Sequence, residues 1–343
     1  MQLIAAVVPW VEHLGVRRIA QDAVEINEAI DVLVCQDPGI QCLPQRFAHF
    51  GVVEAIPERR QRSKNASDAV GSRSMNPVAI TGLLVAAQRA EESRREDRLF
   101  DDPFAEALAG EEGTAVLARY RDSATAGTVP FIEVRTRWYD DEIAHAIGTG
   151  IRQVVILAAG MDSRAYRLEW PRDARVFELD QPEVIAEKTR RLRGAAPRCA
   201  HAAIGVNLAH DFVATLEAQG FERADRTLWL IEGLLSYLPR RTAEAILGRI
   251  EACAAPRSIA LFDVLGQSLL DSPVTQGTRQ MMQELGAPWI FGTDEPELLL
   301  RTWRAAVTEP AVLGNRWKRW PVPAAPRHIR GVPRSYLVQA EKR

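Results

Sequence analysis

A doubly wound, Rossmann-like α/β fold, with a mostly parallel sheet and helices on both faces, is predicted by three observations in the second half of the chain. Four short continuous apolar runs recur: Val154-Val155-Ile156-Leu157, Val176-Phe177-Glu178-Leu179, Leu228-Trp229-Leu230-Ile231 and Ile259-Ala260-Leu261-Phe262. Strands covered on both faces read this way, because neither face meets water. Between the last two runs, Ala243, Ile246, Leu247, Ile250 and Cys253 fall on one helical stripe, which supplies a crossover. The first run ends in a turn of small residues, Ala158-Ala159-Gly160-Met161-Asp162, at the carboxyl end of a buried strand, where open α/β sheets bind ligands.

Composition sets the frame around that core. With 343 residues, 47% of them apolar, the chain is long enough for one sizeable core and an appendage. A formal charge of -2 on 43 basic and 45 acidic residues offers no global attraction to nucleic acid or an anionic membrane, so a small-molecule or peptide partner is expected. Cys35, Cys42, Cys199 and Cys253 form no C-x-x-C pair, which indicates neither a zinc cage nor a disulfide framework. The opening run Leu3 to Val11 lacks a basic flank and is closed by Glu12 and His13. It is too short for a membrane span, and a cytoplasmic location is expected.

Residues 1–74 end in the polar stretch Arg59-Arg60-Gln61-Arg62-Ser63-Lys64-Asn65, which reads as a solvated linker. They are expected to lie outside the main domain, as an appended unit or as sequence upstream of a start at Met75. From there Asn76 and Pro77 form a helix start, followed by Ile80, Leu83, Leu84 and Ala87 at helical spacing. A second start falls at Asp102-Pro103, with Phe104, Leu108 and a stop at Gly110. Past Phe262 come Trp289, Phe291, Trp303, Trp317 and Trp320 among prolines, then the alternating run Ser335-Tyr336-Leu337-Val338-Gln339. These aromatics are read as core first, and alternatively as part of a lid over a substrate pocket.

The candidate site gathers around the small-residue turn. Gly160 permits a positive φ or a close backbone approach. Twenty positions on, Asp180 ends the next strand, where a carboxylate accepts from both hydroxyls of a ribose. Its other reading is a cap for the helix that Pro182 begins. Glu232 ends a further buried strand on the same edge and suits a cationic ligand better than an anionic pyrophosphate. Upstream, Arg135 in Phe131-Ile132-Glu133-Val134-Arg135 offers a guanidinium, able to hold a carboxylate bidentately.

Taken in order, Arg135, the run Leu157 to Leu168, Val176 to Pro182 and Glu232-Gly233-Leu234-Leu235-Ser236-Tyr237-Leu238-Pro239 resemble the leucine carboxyl methyltransferase family. The match is to its bacterial branch of S-adenosyl-L-methionine-dependent enzymes. Arg89-Ala90-Glu91-Glu92-Ser93 and Leu99-Phe100-Asp101-Asp102-Pro103 match that branch's N-terminal segment. The resemblance covers roughly residues 76–343. It implies a class I methyltransferase-like fold for residues 75–343, with residues 75–130 and about 266–330 forming a helical substrate lid. It also implies that Arg135, with Arg89 as a second candidate, pairs with the methionine carboxylate. Ala158 and Gly160 would line the methionine and ribose, Asp180 would bind the ribose, and Glu232 would sit at the amino end. Two departures stand out. Family members usually carry glycine at the position of Ala158, and the adenine-facing aspartate falls on Asn207, beside Leu208.

Methyl transfer from a sulfonium mainly needs alignment and a water-poor site. A carboxylate acceptor, ionised at neutral pH, needs no general base, whereas a phenol does. His201 and the pair His210-Asp211 read as surface or helix-end residues, which tilts the expectation toward O-methylation of a carboxylate or acidic hydroxyl. Tyr237 is the candidate on the substrate side. A nicotinamide-dependent oxidoreductase on the same layout requires an intact glycine triplet and a hydride-transfer acid, and neither is present. That oxidoreductase and a non-catalytic module that binds the cofactor are the two alternatives.

Overall fold

A computed structural model describes residues 77–123 and 129–343. Expectations for residues 1–74 and for the Asn76 cap fall outside the described residues. Among the described residues the first three helices are α1 (Pro77–Ser93), α2 (Ala105–Ser123) and α3 (Phe131–Gly148). Then follow β1 (Gln153–Leu157), α4 (Arg164–Arg167), β2 (Arg175–Asp180), α5 (Pro182–Arg191), β3 (Ala200–Gly205), α6 (Val213–Ala218) and β4 (Thr227–Ile231). After these come α7 (Arg240–Cys253), β5 (Ile259–Leu265), α8 (Gln267–Leu270), α9 (Gln276–Glu284), β6 (Trp303–Thr308), α10 (Pro310–Arg316) and β7 (Ser335–Lys342).

The seven strands form one sheet in the order β3-β2-β1-β4-β5-β7-β6. Strands β1 to β5 run parallel, and β7 lies antiparallel between β5 and β6. Every residue of β1, β4 and β5 is buried, as continuous apolar runs require. One side of the sheet is packed by Leu157, Leu179, Trp229, Ile231 and Phe262 with Ile246, Leu247 and Ile250 of α7. The other side is packed by Val154, Ile156, Leu228, Leu230 and Leu261 with Trp138, Tyr139 and Ile143 of α3. All five positions of the stripe in α7 are buried.

Three local features differ from the sequence expectation. Strand β3 is built from Ala200, His201, Ala202, Ala203, Ile204 and Gly205 at a sheet edge, with only Ile204 buried, so no apolar run marks it. Strand β6, at the other edge, is marked only by Trp303, which is buried. Gly110 leaves the helical region at φ 60 and ψ -172, yet the chain resumes its helix, so Gly110 bends α2 instead of ending it. Contact of α2 with α1 through Leu83, Ala87, Leu108 and Leu117 holds the second half in place. Among the aromatics near the C-terminus, Phe291 and Trp303 belong to the main core, while Trp289 and Trp317 are partly buried.

The chain order reverses between β1 and β4, and the crevice beyond their carboxyl ends is where such sheets bind ligands. The register pairs Leu157 with Leu179 and Ile156 with Leu230. The turn after Leu157, Asp180 and Glu232 therefore emerge on one edge. No helix among the described residues is long and apolar enough to cross a membrane.

Candidate functional site

At the β1 tip the backbone turns through two left-handed residues, Ala158 at φ 52 and Gly160 at φ 45. Asp180 braces this turn from the neighbouring strand. Its Oδ2 accepts from the Gly160 N–H at 2.7 Å and its Oδ1 from the Gln181 N–H at 2.7 Å. It does not cap α5, whose N-cap Gln181 makes no side-chain cap bond. Burial raises the Asp180 carboxyl above its ordinary range, and the two amides pull it partly back. Each oxygen keeps a lone pair for a further donor. In front of Gly160 the space is open, for a Cβ added there would find only the Ala158 carbonyl within 4 Å, at 3.9 Å.

Ala158 is the strained member of this turn. A left-handed alanine costs roughly 1–2 kcal/mol, while glycine at the same site loses about 0.5–1 kcal/mol more chain entropy on folding. Ala158→Gly is therefore expected to raise stability by roughly 0.5–1 kcal/mol, a rise of about 1–4 °C in Tm. Differential scanning calorimetry checks this, and a lowered Tm would show that the alanine is not strained.

Beside the turn lies a floor of buried charges. Arg135 of α3 places Nε 3.0 Å from Glu232 Oε1 and donates from Nη1 to Asp263 Oδ2 at 3.2 Å. Asp263 in turn accepts from the Gly233 N–H at 2.7 Å and from the Tyr139 hydroxyl at 3.2 Å. Gly233, at φ 63, lies directly against the guanidinium, because an added Cβ would sit 3.2 Å from Arg135 Nη1. Arg164 joins Glu232, Asp162 and Asp140. Arg89 donates to the Met161 carbonyl at 2.5 Å and lies 3.2 Å from Asp102, which also accepts from Ser163. Arg167 completes the set on Asp140.

Arg135 and Glu232, assigned separately by sequence, thus lie in contact. That suits an amino acid, whose ammonium and carboxylate share one carbon. Despite these ion pairs, Nε of Arg89, Nε of Arg135 and Nη2 of Arg164 are buried and make no hydrogen bond. Buried donors of this kind are costly unless something accepts from them. Sequence reasoning assigned no role to Asp263, Gly233 or Arg164. The available signal for Asp263 was a carboxylate inside the otherwise apolar run Ile259 to Leu265.

The remaining predicted residues lie at the two flanks. Asn207, exposed beyond β3, accepts from the Ala209 N–H at 2.9 Å, while Leu208 is buried in the main core. Its amide oxygen has one lone pair left. Tyr237 follows β4 and packs with Val116, Tyr120, Met281, Met282 and Trp289. Its phenol hydrogen-bonds with the Trp289 indole and the Thr81 hydroxyl, and burial raises its pKa. His201 lies on β3 with Nε2 3.2 Å from Glu178 Oε2, beside the Lys188–Glu178 ion pair, and His210 is exposed.

Comparison with known proteins gives this geometry its context. Residues 82–251 match the leucine carboxyl methyltransferase family model. A Mycobacterium sp. (strain KMS) protein, provisionally named an S-adenosyl-L-methionine-dependent methyltransferase, is 36% identical over 261 residues, covering 70% of this chain and 84% of that protein. The chain belongs to the leucine carboxyl methyltransferase family. A Mycobacterium ulcerans (strain Agy99) relative with the same provisional name is 43% identical over 196 residues, covering 53% of this chain and 64% of its own. A crystal structure provisionally named a methyltransferase, from Thermobifida fusca YX, aligns with a TM-score of 0.54 at 15% identity over 76% of this chain and 94% of that one. The methyltransferase thus has the class I fold, and its cofactor is S-adenosyl-L-methionine.

Proposed function

We propose that this methyltransferase is an O-methyltransferase, transferring a methyl group to a carboxylate or acidic hydroxyl of a small molecule or peptide. The observation that supports the assignment of the cofactor seat is the strand-end cluster: a left-handed turn at Ala158 and Gly160 with open space before Gly160, the Asp180 carboxylate that braces it, and the adjacent Arg135–Glu232 pair. A guanidinium and a carboxylate held side by side match the carboxylate and ammonium of the methionine part. Arg135 holds that carboxylate, with Arg89 as the second candidate, and Glu232 holds the amino group. Ala158 and Gly160 line the methionine and ribose, Asp180 accepts from the ribose hydroxyls, and Asn207 with Leu208 flanks the adenine.

Net charge agrees with this placement. Four guanidiniums (Arg89, Arg135, Arg164, Arg167) meet five carboxylates (Asp102, Asp140, Asp162, Glu232, Asp263). With all of them ionised, the floor carries one excess negative charge, opposite to the single net positive charge of S-adenosyl-L-methionine. Transfer makes the sulfur neutral, so the product leaves that charge unmatched and is released more readily.

The bound cofactor supplies a methyl group activated by the sulfonium. The protein's own work is to align the acceptor and exclude water. Helices α1, α2 and α9, in the segments 75–130 and 266–330, form the acceptor lid in this reading, with Tyr237 beneath them. The family's name favours oxygen, and specifically carboxyl, as the accepting atom.

Calorimetric titration tests the seat. S-adenosyl-L-methionine is expected to bind and NADH is not. In Gly160→Ala the new methyl enters the open space and the residue is strained at φ 45. The expected loss is about 2–3 kcal/mol, or roughly 30- to 150-fold in Kd. Unchanged affinity in that variant would place the cofactor elsewhere.

A further inference from the structure

Helix α1 lies along the turn after β1 with one narrow face left open. Between Thr81 and Ala90 every residue is buried except Gly82 and Val85, which are half-buried. Residues three apart on a helix are neighbours, so the two form a single window. At Gly82 that window meets the turn: an added Cβ would lie 3.6 Å from the Met161 main-chain nitrogen and 3.9 Å from the Gly160 Cα. The helix is fixed in this place. Arg89 donates to the Met161 carbonyl, and Leu83 and Leu84 pack with Leu108 and Leu117 of α2. Thr81 hydrogen-bonds with Tyr237, whose phenol lies in the field of Arg135 and Asp263.

Glycine in a helix interior is less favourable than alanine, so a fold retains it where packing or backbone geometry demands it. In α2, Gly113 meets the first demand, because an added Cβ would sit 2.6 Å from the Leu83 carbonyl, and Gly110 meets the second, at φ 60. Gly82 meets neither. Its φ is not positive, and its neighbours leave ordinary van der Waals room for a methyl group. We propose that Gly82 is a cofactor-contact position, at which α1 forms a wall of the S-adenosyl-L-methionine seat beside Gly160. The inference rests on the seat assigned above and deepens it, by adding a wall from a helix that precedes the sheet.

Two glycines then border the same crevice from different elements, Gly160 from the turn and Gly82 from the helix. The Cγ and main-chain nitrogen of Met161 already stand at contact distance from a Cβ on residue 82. Atoms beyond that Cβ are left with the window itself, beside the open face of Gly160, where they compete with the ligand for space. The bond between Thr81 and Tyr237 holds this wall against the Arg135 side of the seat. A wall without side chains also keeps the donor's methyl group free of steric contact, which alignment for an in-line transfer needs.

The test titrates the full chain with S-adenosylhomocysteine by calorimetry and reads Tm for each variant. Gly248, an exposed helical glycine of α7 with nothing within 4 Å of an added Cβ, is the control position. Gly82→Ala and Gly248→Ala are both expected to raise Tm by about 1–4 °C. Gly82→Leu is expected to weaken S-adenosylhomocysteine by about 10- to 150-fold, and Gly248→Leu to leave it unchanged. Unchanged affinity in Gly82→Leu would overturn the proposal. So would a lowered Tm in Gly82→Ala, because packing would then be what demands the glycine. A smaller probe covers a leucine variant that fails to fold. The thiol introduced by Gly82→Cys is labelled with iodoacetamide and followed by mass spectrometry of its peptide. Saturating S-adenosylhomocysteine is expected to slow that labelling about tenfold or more, and to leave the thiol of Gly248→Cys unprotected. Equal labelling with and without bound ligand would overturn the proposal, whereas loss of binding in Gly82→Cys at unchanged Tm would support it as the leucine does. Failure of S-adenosylhomocysteine to bind the wild type would remove the seat itself, and that outcome is read in the first titration, before any variant.

Discussion

Replacing Arg164 by leucine is expected to destabilise the protein by about 3–5 kcal/mol at pH 7.5, a large share of the roughly 5–15 kcal/mol that a folded domain has. Arg164 is 1% exposed and is the common partner of Asp140, Asp162 and Glu232. A leucine fills much of its space yet leaves Asp162 without its main counter-charge, and Asp140 and Glu232 with one guanidinium each, from Arg167 and Arg135. Breaking a buried pair from one side costs far more than the pair contributes as a whole.

The pH dependence separates this cause from simple loss of packing. Burial works against the charge on Asp162, but Arg164, Lys188 and Arg89 outweigh it and hold its carboxyl well below the ordinary 3.8. A depressed carboxyl contributes stability above its unfolded pKa and loses it as pH falls through the folded one. In Arg164→Leu burial dominates, the Asp162 pKa rises, and the variant gains stability as pH falls from 7 toward 4. The gap between wild type and variant is therefore widest near neutrality and narrower at pH 5. Urea unfolding at both values, with the m-value checked, measures it. A gap independent of pH would mean that lost packing dominates. Arg164→Lys keeps the charge without the planar fork and should fall between the two.

The second large effect divides the proposed cofactor seat into its halves. Asp180→Asn turns one acceptor oxygen into a donor facing a main-chain N–H and removes the charge offered to the ribose hydroxyls. Affinity for S-adenosylhomocysteine is expected to fall by about 1.5–3 kcal/mol, roughly 10- to 150-fold. Affinity for 5′-methylthioadenosine, which has the nucleoside but no amino-acid group, should fall by a similar factor. Arg135→Gln is expected to cost as much for S-adenosylhomocysteine and to leave 5′-methylthioadenosine unchanged. The truncated ligand is also the control for folding, because a distorted turn would weaken both. If Arg135→Gln weakened the two ligands equally, Arg135 would be holding the fold of the site and not the methionine carboxylate.

These two experiments address different properties of the same floor. Arg164 ties together Asp140, Asp162 and Glu232, whereas Arg135 lies against Gly233 and joins Glu232 to Asp263. Glu232 connects them, held by both guanidiniums. The floor is therefore set before any ligand arrives, and alignment of the cofactor does not require rearranging its charges.

Much of this was legible from local pattern. Continuous apolar runs identified β1, β2, β4 and β5, because a strand buried on both faces has no polar alternation to hide it. The stripe of α7 was legible because burial on one face of a helix repeats with its turn. Asp180 was placed correctly at the end of β2, beside the glycine turn, since two consecutive parallel strands fix that register. Edge strands β3 and β6 escaped, since an edge with small or half-exposed residues carries no apolar run.

Tertiary structure decided what depends on distance along the chain. Arg135 meets Asp263 across 128 residues, and Arg164 meets Glu232 across 68, pairings that no local spacing encodes. The insertion of β7 between β5 and β6 is likewise set by sheet closure. Glu133 illustrates the point most directly. In sequence it is one acid among many at the start of a helix, and its raised carboxyl arises only when folding removes water and leaves Oε2 without a hydrogen-bond partner among the described residues. Sequence determined the family, the sheet and the cofactor because these rest on short-range pattern and ordered motifs. Desolvation and the balance of buried charge are properties of the packed interior, and only the folded chain could decide them.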